Sequence, residues 1–332
     1  MTLSSPLPAT LSDPATTGSE PQATVEKVPY AGWENCIRLS NGRIELITTT
    51  DVGPRIIRFG FVGGQNLFKE FGGQLGKTGG DAWRIYGGHR FWHAPEDRVR
   101  TYMPDNDPVA WRAQEGTLVL TQPVEEANGV QKELAVHLHP TEPRVTVLHR
   151  LINRSEEPVE LAPWALSVMA AGARAILPQE HFRPHVEQLL PARTLTLWSY
   201  TNMADPRFRW GSRFIEVRHD AQHRSSQKLG VLSTLPWMAC ALNGEVFLKS
   251  AGYEAGASYP DMNSNLEVYV GGDMLELETL APLRPIPPGA LAEHREVWSL
   301  QELEIGQSEE DVEEALVPLA NAQLAWAASA PA

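Results

Sequence analysis

Cysteine is nearly absent: the chain of 332 residues has only Cys36 and Cys240, far apart in the sequence. No CxxC pair or zinc-type spacing of cysteine and histidine occurs, which argues against a disulfide framework and a zinc finger. We expect both thiols to be small buried apolar side chains. The GxSxG, P-loop and GxGxxG motifs are missing as well, and the sequence therefore predicts no cofactor and no metal.

Cations and long apolar runs are also scarce. The 28 lysines and arginines face 41 acidic residues, for a net charge of -13, which argues against nucleic acid and anionic membranes as main partners. The longest apolar run, Leu161 to Ala173, is shorter than the roughly 20 residues of a membrane span. We expect no nucleic-acid or membrane partner and a cytoplasmic location.

Residues 1–26 are rich in proline, serine and threonine and lack the basic and apolar regions of a signal peptide. Few large apolar side chains occur there, so we expect residues 1–26 to be a disordered tail. From Val28 onward the sequence contains runs of apolar residues. Residues 27–305 are predicted to be one domain, and residues 306–332 a C-terminal helix and tail.

The body of the chain contains more than a dozen short runs typical of strands, separated by the 26 glycines and 26 prolines. Asn41-Gly42, between two such runs, predicts a hairpin turn. The one convincing helix follows Ser308, which with Asp311 resembles a capping box. The pattern indicates an all-β fold, a large antiparallel sandwich with a short C-terminal helix.

The stretch GGHRFWHAPED, residues 87–97, carries an unusual density of functional side chains. His89 and His93 are four residues apart, but the HExxH pattern of a zinc site on a helix is absent. A structural role in the core is one interpretation. A sugar site is favoured, because Trp92 offers a flat apolar face, the histidines offer hydrogen bonds and Arg90 offers a planar donor fork.

The stretch MLELETL alternates as a half-buried strand does, with Leu275 and Leu277 on one face and Glu276 and Glu278 on the other. Glu267 lies one predicted strand earlier and is expected to join the two carboxylates. Neighbouring carboxylates raise the pKa of at least one of them, which suits acid–base catalysis. An ordinary solvated face is the alternative.

A third stretch, TYMPDNDPVAW, residues 101–111, is a predicted loop suited to hydroxyl recognition through Asp105 and Asn106, with an ordinary turn as the alternative. Arg55 and Lys249 are two further candidates for substrate binding. His137 and His139 alternate on a predicted strand and are expected at the surface.

Taken in order, these stretches resemble the galactose-mutarotase-like, or aldose-1-epimerase-like, superfamily. LSNGRIELITTTDVGPRIIRFGFVGGQNLF is similar to its opening hairpin and strands, MLELETLAP to its late strand, and RPIPPGALAEHREVWSL to its closing strand. The likeness spans residues 33–300. It implies an antiparallel supersandwich whose concave face binds a carbohydrate.

The resemblance also implies catalytic roles. In the epimerases a late glutamate takes the proton from the anomeric hydroxyl and histidines protonate the ring oxygen. By position Glu278 matches that base, and His89 or His93 matches the early histidine. The second histidine, in the middle of the epimerase chain, has no counterpart here, where residues 162–173 include Trp164 instead. Either His89 and His93 share the two roles, or only sugar binding remains.

The sequence therefore predicts an isomerase acting on a hexose or sugar derivative, with phosphorylated and acidic sugars left open. A non-catalytic carbohydrate-binding sandwich is the main alternative. A sugar lyase on the same scaffold is another, since the fold does not fix the function. The arginines that would serve a lyase, or hold a phosphate, are Arg84, Arg90, Arg98 and Arg100. No feature of the sequence sets the oligomeric state.

Overall fold

The computed structural model describes residues 23–114 and 116–329. The strands are β1 Thr24–Tyr30, β2 Trp33–Ser40, β3 Ile44–Thr49, β4 Arg55–Phe61, β5 His89–Ala94, β6 Ala110–Gln114, β7 Thr117–Thr121, β8 Val130–Leu138, β9 Arg144–Asn153, β10 Val159–Met169, β11 Arg174–Pro178, β12 Thr196–Leu197, β13 Phe208–Trp210, β14 Phe214–Arg218, β15 Gln227–Val231, β16 Trp237–Leu242, β17 Glu245–Ala251, β18 Leu266–Val270, β19 Leu275–Leu280, β20 Arg284–Ile286 and β21 Leu291–Glu302. The helices are α1 Pro260–Asn263 and α2 Glu309–Ser329.

The strands form two antiparallel sheets. The first has 11 strands, in the order β1-β2-β3-β4-β5-β10-β19-β18-β15-β12 with β20 paired to β10. The second has 10 strands, in the order β13-β14-β11-β16-β17-β21-β9-β8-β7-β6. This arrangement confirms the predicted all-β antiparallel sandwich. Strands β5, β10 and β19 lie next to one another in the first sheet although they are far apart in the sequence, and β18 follows β19.

The turn between β2 and β3 shows how local chemistry sets the register of the strands. Gly42 has a φ of 82°, a conformation that most side chains disfavour and that glycine adopts readily. The Asn41 carboxamide oxygen accepts hydrogen bonds from the backbone N–H groups of Arg43 and Ile44. The predicted Asn-Gly hairpin is therefore present, and it starts the first sheet.

The main core lies between the sheets. Its centre is an aromatic cluster in which Phe59 and Phe68 from the first sheet meet Phe247 and Trp298 from the second, with ring centroids 5.4 to 6.0 Å apart. Rings of this size bury large apolar areas and prefer edge-to-face contacts, the geometry of four of these six pairs. Cys240 belongs to this core and Cys36 to a smaller one, as expected for buried thiols.

Helix α2 covers the outer face of the second sheet. The Ser308 hydroxyl accepts a hydrogen bond from the Asp311 N–H, and the Asp311 carboxylate accepts one from the Ser308 N–H, so the predicted capping box is present. Val312 and Leu316 are buried against apolar residues of the sheet. Neither helix in the described part of the chain combines the length and the apolar character that a bilayer crossing requires.

The expected tail, residues 1–26, mostly falls outside the described residues, which begin at residue 23. Its boundary needs a correction, because β1 already starts at Thr24 and pairs with β2 from Thr24↔Ser40 onward. Val25 packs against the main core. Ladder hydrogen bonds and this apolar contact hold residues that the polar composition alone assigns to a tail.

Candidate functional site

The candidate site is on the face of the first sheet that points away from the second sheet. Directly opposed residues of antiparallel strands share a face. The register opposes Trp92 to Trp164, Glu278 to Leu166, and Glu267 to Glu278. The residues that this register places together are Arg90, Trp92, Trp164, Glu267, Tyr269, Glu276, Glu278 and, from β15, Lys228. We call this set the concave-face cluster, after the concave carbohydrate-binding face that the sequence resemblance implies.

An ion triad lies at the centre of the concave-face cluster. The Lys228 ammonium nitrogen is 2.7 Å from Glu267 Oε2 and 2.8 Å from Glu278 Oε2. Both carboxylates are almost completely buried, and so is Lys228. Buried charges are tolerated when they are paired. Lys228 forms an ion pair with each carboxylate and donates a hydrogen bond to Glu278 Oε2.

Aromatic rings enclose the ammonium group. Lys228 Nζ lies 4.6 Å from the ring centroid of Trp164 and 4.7 Å from that of Trp198, within the range of a cation–π contact. The Trp164 indole N–H also donates a hydrogen bond of 2.9 Å to Glu278 Oε2. Both donors therefore act on Oε2, and among the described residues nothing donates a hydrogen bond to Glu278 Oε1.

The pKa values in the triad follow from burial and from neighbouring charges. Burial alone lowers the pKa of Lys228, but the carboxylates of Glu267 and Glu278 outweigh it and hold that pKa well above its usual value. Burial raises the pKa of Glu267 well above its usual value, and the charges of Glu278 and Asp261 add to the rise. Lys228 is therefore charged near neutrality, and Glu267 takes up a proton more readily than an exposed glutamate does.

An unusual turn places a further carboxyl group beside the triad. In α1 the φ angles of Asp261, Met262 and Asn263 are 49°, 56° and 74°, a left-handed run that costs free energy at each residue other than glycine. Burial raises the pKa of Asp261, while the charge of Lys228 opposes the rise. The turn thus brings Asp261 close to Lys228 and Glu267.

The wall formed by β5 is aromatic and ion-paired. Arg90 Nη1 is 2.8 Å from Glu276 Oε1, and the Arg90 guanidinium lies 4.4 Å from the ring centroid of Trp92. Trp92 also contacts Tyr102 and Trp83, whose rings are partly buried. Burial, and then the charge of Glu278, raises the pKa of Glu276 despite the opposing charge of Arg90. The wall offers apolar ring surface edged by polar groups, which suits a sugar.

The two predicted histidines lie on the other face of β5, together with Phe91. His89 is fully buried between the sheets, where its ring contacts His149 and Trp298. His93 is also fully buried, and its Nε2 lies 3.2 Å from the Arg100 carbonyl oxygen and 3.3 Å from the Asn128 side-chain nitrogen. The proposed catalytic pairing of either histidine with Glu278 needs a correction, because strand alternation points them away from that carboxylate.

Lys249 lies in the same inter-sheet layer and is also fully buried. Its ammonium nitrogen is 2.8 Å from Glu296 Oε1 and donates to Ser167 Oγ and to two backbone carbonyl oxygens. The expected substrate contact of Lys249 therefore needs a correction as well: its donors are used inside the sandwich, and the first sheet separates it from the concave face.

Arg55, Asp105 and Asn106 support the loops beside the site. Arg55 is buried, and its Nη2 is 2.6 Å from Asp105 Oδ2. Asn106 donates to the carbonyl oxygens of Gly80 and Ala82 and accepts from Tyr86. Because the Asn106 amide is fully engaged, its predicted contact with a sugar hydroxyl is not available in this arrangement. Arg55 opposes Arg90 in the β4–β5 pair and so stays near the site.

Among the residues that the structure describes, one group has the ligand atoms that a divalent metal ion requires. The ligand atoms of His89, His149 and Glu296 lie within 4.8 Å of one another, and imidazole with carboxylate suits several transition metals. These donors already have partners. His149 Nδ1 lies 2.9 Å from the His294 carbonyl oxygen, and the two Nε2 atoms of His89 and His149 lie 2.7 Å apart. The geometry fits a hydrogen-bonded cluster around the Lys249–Glu296 ion pair.

The buried histidines predict a specific pH dependence of stability. Burial lowers the pKa of His149 to about 3, from an ordinary value of 6.5. Between these two pKa values the unfolded chain binds a proton at His149 and the folded chain does not. The free energy of unfolding therefore decreases as the pH falls through this window. We expect His149→Gln to flatten the slope of unfolding free energy against pH by up to about 1.4 kcal/mol per pH unit.

Urea unfolding between about pH 6 and pH 4.5 measures that slope. The matched control is His181→Gln, since His181 is exposed, and it is expected to leave the slope unchanged. Equal slopes in wild type and His149→Gln contradict the assignment of His149 as a buried neutral group.

The sequence reasoning missed Lys228 and Trp198 as site residues. One signal was present: Lys228 interrupts the apolar strand QKLGV, and a lysine at such a place needs an anionic partner if buried. Its partners come from β18 and β19, and the pairing of β15 with β18 cannot be read from either strand alone.

Comparison with known proteins bears on the fold. No family model and no curated protein matches the chain. Among solved structures, a candidate aldose 1-epimerase from Klebsiella pneumoniae superposes with a TM-score of 0.55 at 10% identity, covering 93% of this chain and 94% of that one. A galactose mutarotase-like protein from Clostridium acetobutylicum gives 0.51 at 10% identity, covering 85% of this chain and 99% of that one.

A TPR-domain protein from Parabacteroides distasonis is also similar, with a TM-score of 0.55 at 12% identity. The match covers 82% of this chain and 48% of that protein, so the chain spans about half of its length. The fold is thus that of the galactose mutarotase-like sandwiches, as the sequence resemblance implies. At these identities the likeness concerns the fold alone.

Proposed function

We propose that this protein binds a neutral monosaccharide on the concave face of its first sheet and catalyses the exchange of its two anomers, with Glu278 as the base. The observation that carries the proposal is the hydrogen bonding of Glu278. Lys228 and Trp164 both hold Oε2, while no donor of the described residues contacts Oε1. A carboxylate fixed through one oxygen presents the other to a sugar hydroxyl.

The charges of the cluster favour a neutral sugar. Among the described residues of this face, Arg90 is paired with Glu276, and Lys228 with two carboxylates. Arg55, opposite Arg90 in the β4–β5 pair, is paired with Asp105. A phosphate or a uronate would have to break one of these ion pairs, and the surrounding carboxylates would repel it. Phosphorylated and acidic sugars, left open by the sequence, are therefore disfavoured.

The four arginines that a sugar lyase would need do not converge on the site. Arg84 donates to the Gly79 carbonyl oxygen and the Tyr86 hydroxyl, while Arg98 and Arg100 are exposed. Arg90 therefore faces the site without the other three. Non-catalytic sugar binding is the second candidate. It is favoured by the position of His89 and His93, which lie on the far side of β5 from Glu278.

Proton NMR of anomer exchange tests the proposal. Freshly dissolved glucose and galactose are expected to equilibrate faster with the protein than without it, and their 6-phosphates at close to the uncatalysed rate. The phosphates serve as matched controls, since they differ from the sugars at one position only. Faster exchange of the phosphates than of the neutral sugars contradicts the charge argument.

Saturation-transfer NMR on the same samples separates the two candidates. Contact between a neutral sugar and the protein without faster exchange would establish the binding function in place of the enzyme. If none of the four sugars shows faster exchange or contact with the protein, the proposal of a site for these hexoses is contradicted.

A further inference from the structure

The anomer exchange proposed above needs an acid as well as a base, and the two must be neighbours. Ring opening takes a proton from the anomeric hydroxyl and gives one to the ring oxygen, and both oxygens are bonded to the same carbon. A general acid must come within hydrogen-bond reach of the atom that it protonates. His89 and His93 do not meet this condition, because the first sheet lies between their rings and the concave face.

We propose that Lys228 is the acid, so that the Lys228–Glu278 pair carries out the chemistry that the epimerases divide between histidine and glutamate. This inference rests on the proposed function. The ammonium nitrogen and Glu278 Oε2 are 2.8 Å apart, a separation that lets the two side chains address two oxygens on one carbon. In the described residues of the concave-face cluster, Lys228 is the only cation in contact with Glu278.

The position of the ammonium group is fixed from three directions. Glu267 Oε2 lies 2.7 Å from Nζ, and the rings of Trp164 and Trp198 lie on its other sides. Side chains held in this way do not need to reorganise during the reaction. Trp164 stands in the mid-chain segment where the epimerases have a histidine. In this chain that position holds an aromatic ring that fixes Lys228, and Lys228 supplies the proton.

The protons and electron pairs balance. Glu278 takes the proton from the anomeric hydroxyl, and the O–H electron pair becomes the second bond of the aldehyde carbonyl. The bond between C1 and the ring oxygen breaks, and its electron pair goes to the ring oxygen, which takes a proton from the Lys228 ammonium. After rotation about C1–C2, the same transfers run backwards and close the ring on the other face of C1. Glu278 and Lys228 recover their initial protonation states.

Several titratable groups surround Lys228 and set its charge. Two anions contact it directly, Glu267 and Glu278, and the others nearby are Asp261, Tyr200 and Tyr269. The carboxylates hold the pKa of Lys228 well above its usual value despite burial. The proton stays available in alkaline solution, and the alkoxide that forms on ring opening is basic enough to take it.

Two substitutions at Lys228, measured on the full chain by the NMR exchange assay, test the proposal. Lys228→Met removes the proton donor and the charge. Lys228→Arg keeps the charge between Glu267 and Glu278, but a guanidinium group is a far weaker acid. We expect kcat to fall about 10²- to 10⁴-fold in both variants, the range for a positioned acid. Lys228→Arg is expected to keep a KM close to wild type.

The matched control is Lys27→Met, on the exposed edge strand β1, which is expected to retain full activity. Circular dichroism and a thermal melt show whether each variant is folded. Should Lys228→Met not fold, Lys228→Arg decides, because it preserves the two ion pairs.

The outcomes separate this inference from the function on which it rests. Wild type that exchanges no anomers overturns both. Active wild type with an active Lys228→Arg variant overturns the acid role alone, since a purely electrostatic role survives in arginine. The pH profile gives an independent reading: with Lys228 as the acid, kcat is expected to hold its plateau up to about pH 9.5. A fall of kcat near neutrality contradicts the proposal and indicates an acid of lower pKa.

Discussion

Glu278→Gln is expected to abolish most of the anomer exchange while leaving the protein folded. The carboxamide oxygen of glutamine can still accept the Trp164 indole N–H, and Lys228 keeps its 2.7 Å contact with Glu267. What disappears is the capacity of the side chain to take a proton. Loss of a positioned base costs about 10²- to 10⁴-fold in rate, and we expect kcat to fall within that range.

The control for this variant is Glu302→Gln, an exposed change of the same chemistry at the end of β21 in the second sheet. Sugar affinity, followed by saturation-transfer NMR, separates the loss of chemistry from the loss of binding. Full activity in a folded Glu278→Gln protein would falsify the assignment of the base, and Glu267 or Glu276 would then be the carboxylate to examine.

Lys249→Met is expected to cause the largest loss of stability of the changes considered. Lys249 and Glu296 are both fully buried and 2.8 Å apart. Removing one partner of such a pair leaves an uncompensated buried charge, which typically costs about 3–5 kcal/mol. Urea unfolding near neutral pH measures the change. We expect the midpoint to fall with little change in the dependence on urea concentration, as for a loss of stability alone.

The double variant Lys249→Met with Glu296→Gln provides the matched comparison. It removes both charges, keeps a hydrogen-bond acceptor for Trp298, and is expected to regain most of the lost free energy. A double variant as unstable as the single one shows that packing of the lysine side chain matters more than its charge. A folded Lys249→Met protein with weakened sugar affinity would restore the predicted role of Lys249 in substrate binding.

Local patterns in the sequence predict much of the architecture. The Asn41-Gly42 turn, the capping box at Ser308 and the alternation in MLELETL are short-range signals, and each matches the structure. The alternation also places Glu276 and Glu278 on one face, with Glu267 opposite Glu278 on the neighbouring strand. One face of this strand is apolar and the other is charged, so the sequence indicates which face packs against the second sheet.

The same reasoning fails at GGHRFWHAPED for a physical reason. All six residues of β5 are buried, and both faces carry polar and aromatic side chains. Where neither face is simply apolar, alternation separates His89 and His93 from Arg90 and Trp92 but does not indicate which pair faces the second sheet. The contacts that decide it come from His149 and Trp298, more than 50 residues away in the sequence.

Lys228 and Lys249 illustrate a second limit. Each interrupts an apolar strand, and each is buried in an ion pair, but on opposite sides of the first sheet. The strands predict burial of both lysines equally well. Only the register between distant strands tells which lysine meets the concave face, and the sequence of one chain carries little information on that register.

The alternation of outward and inward side chains along β19 restricts how this strand can change during evolution. Glu276 and Glu278 face outward, while Leu277 faces the inter-sheet core and Thr279 bonds to the buried Glu296. Substitutions at the outward positions change the charges of the candidate site and leave the apolar packing beneath in place. A single-residue insertion before Leu275 that shifts the strand would instead exchange the two sets, placing carboxylates in the core and leucines in the site. Diversification of this strand is therefore expected to proceed by point substitution, with its length held constant.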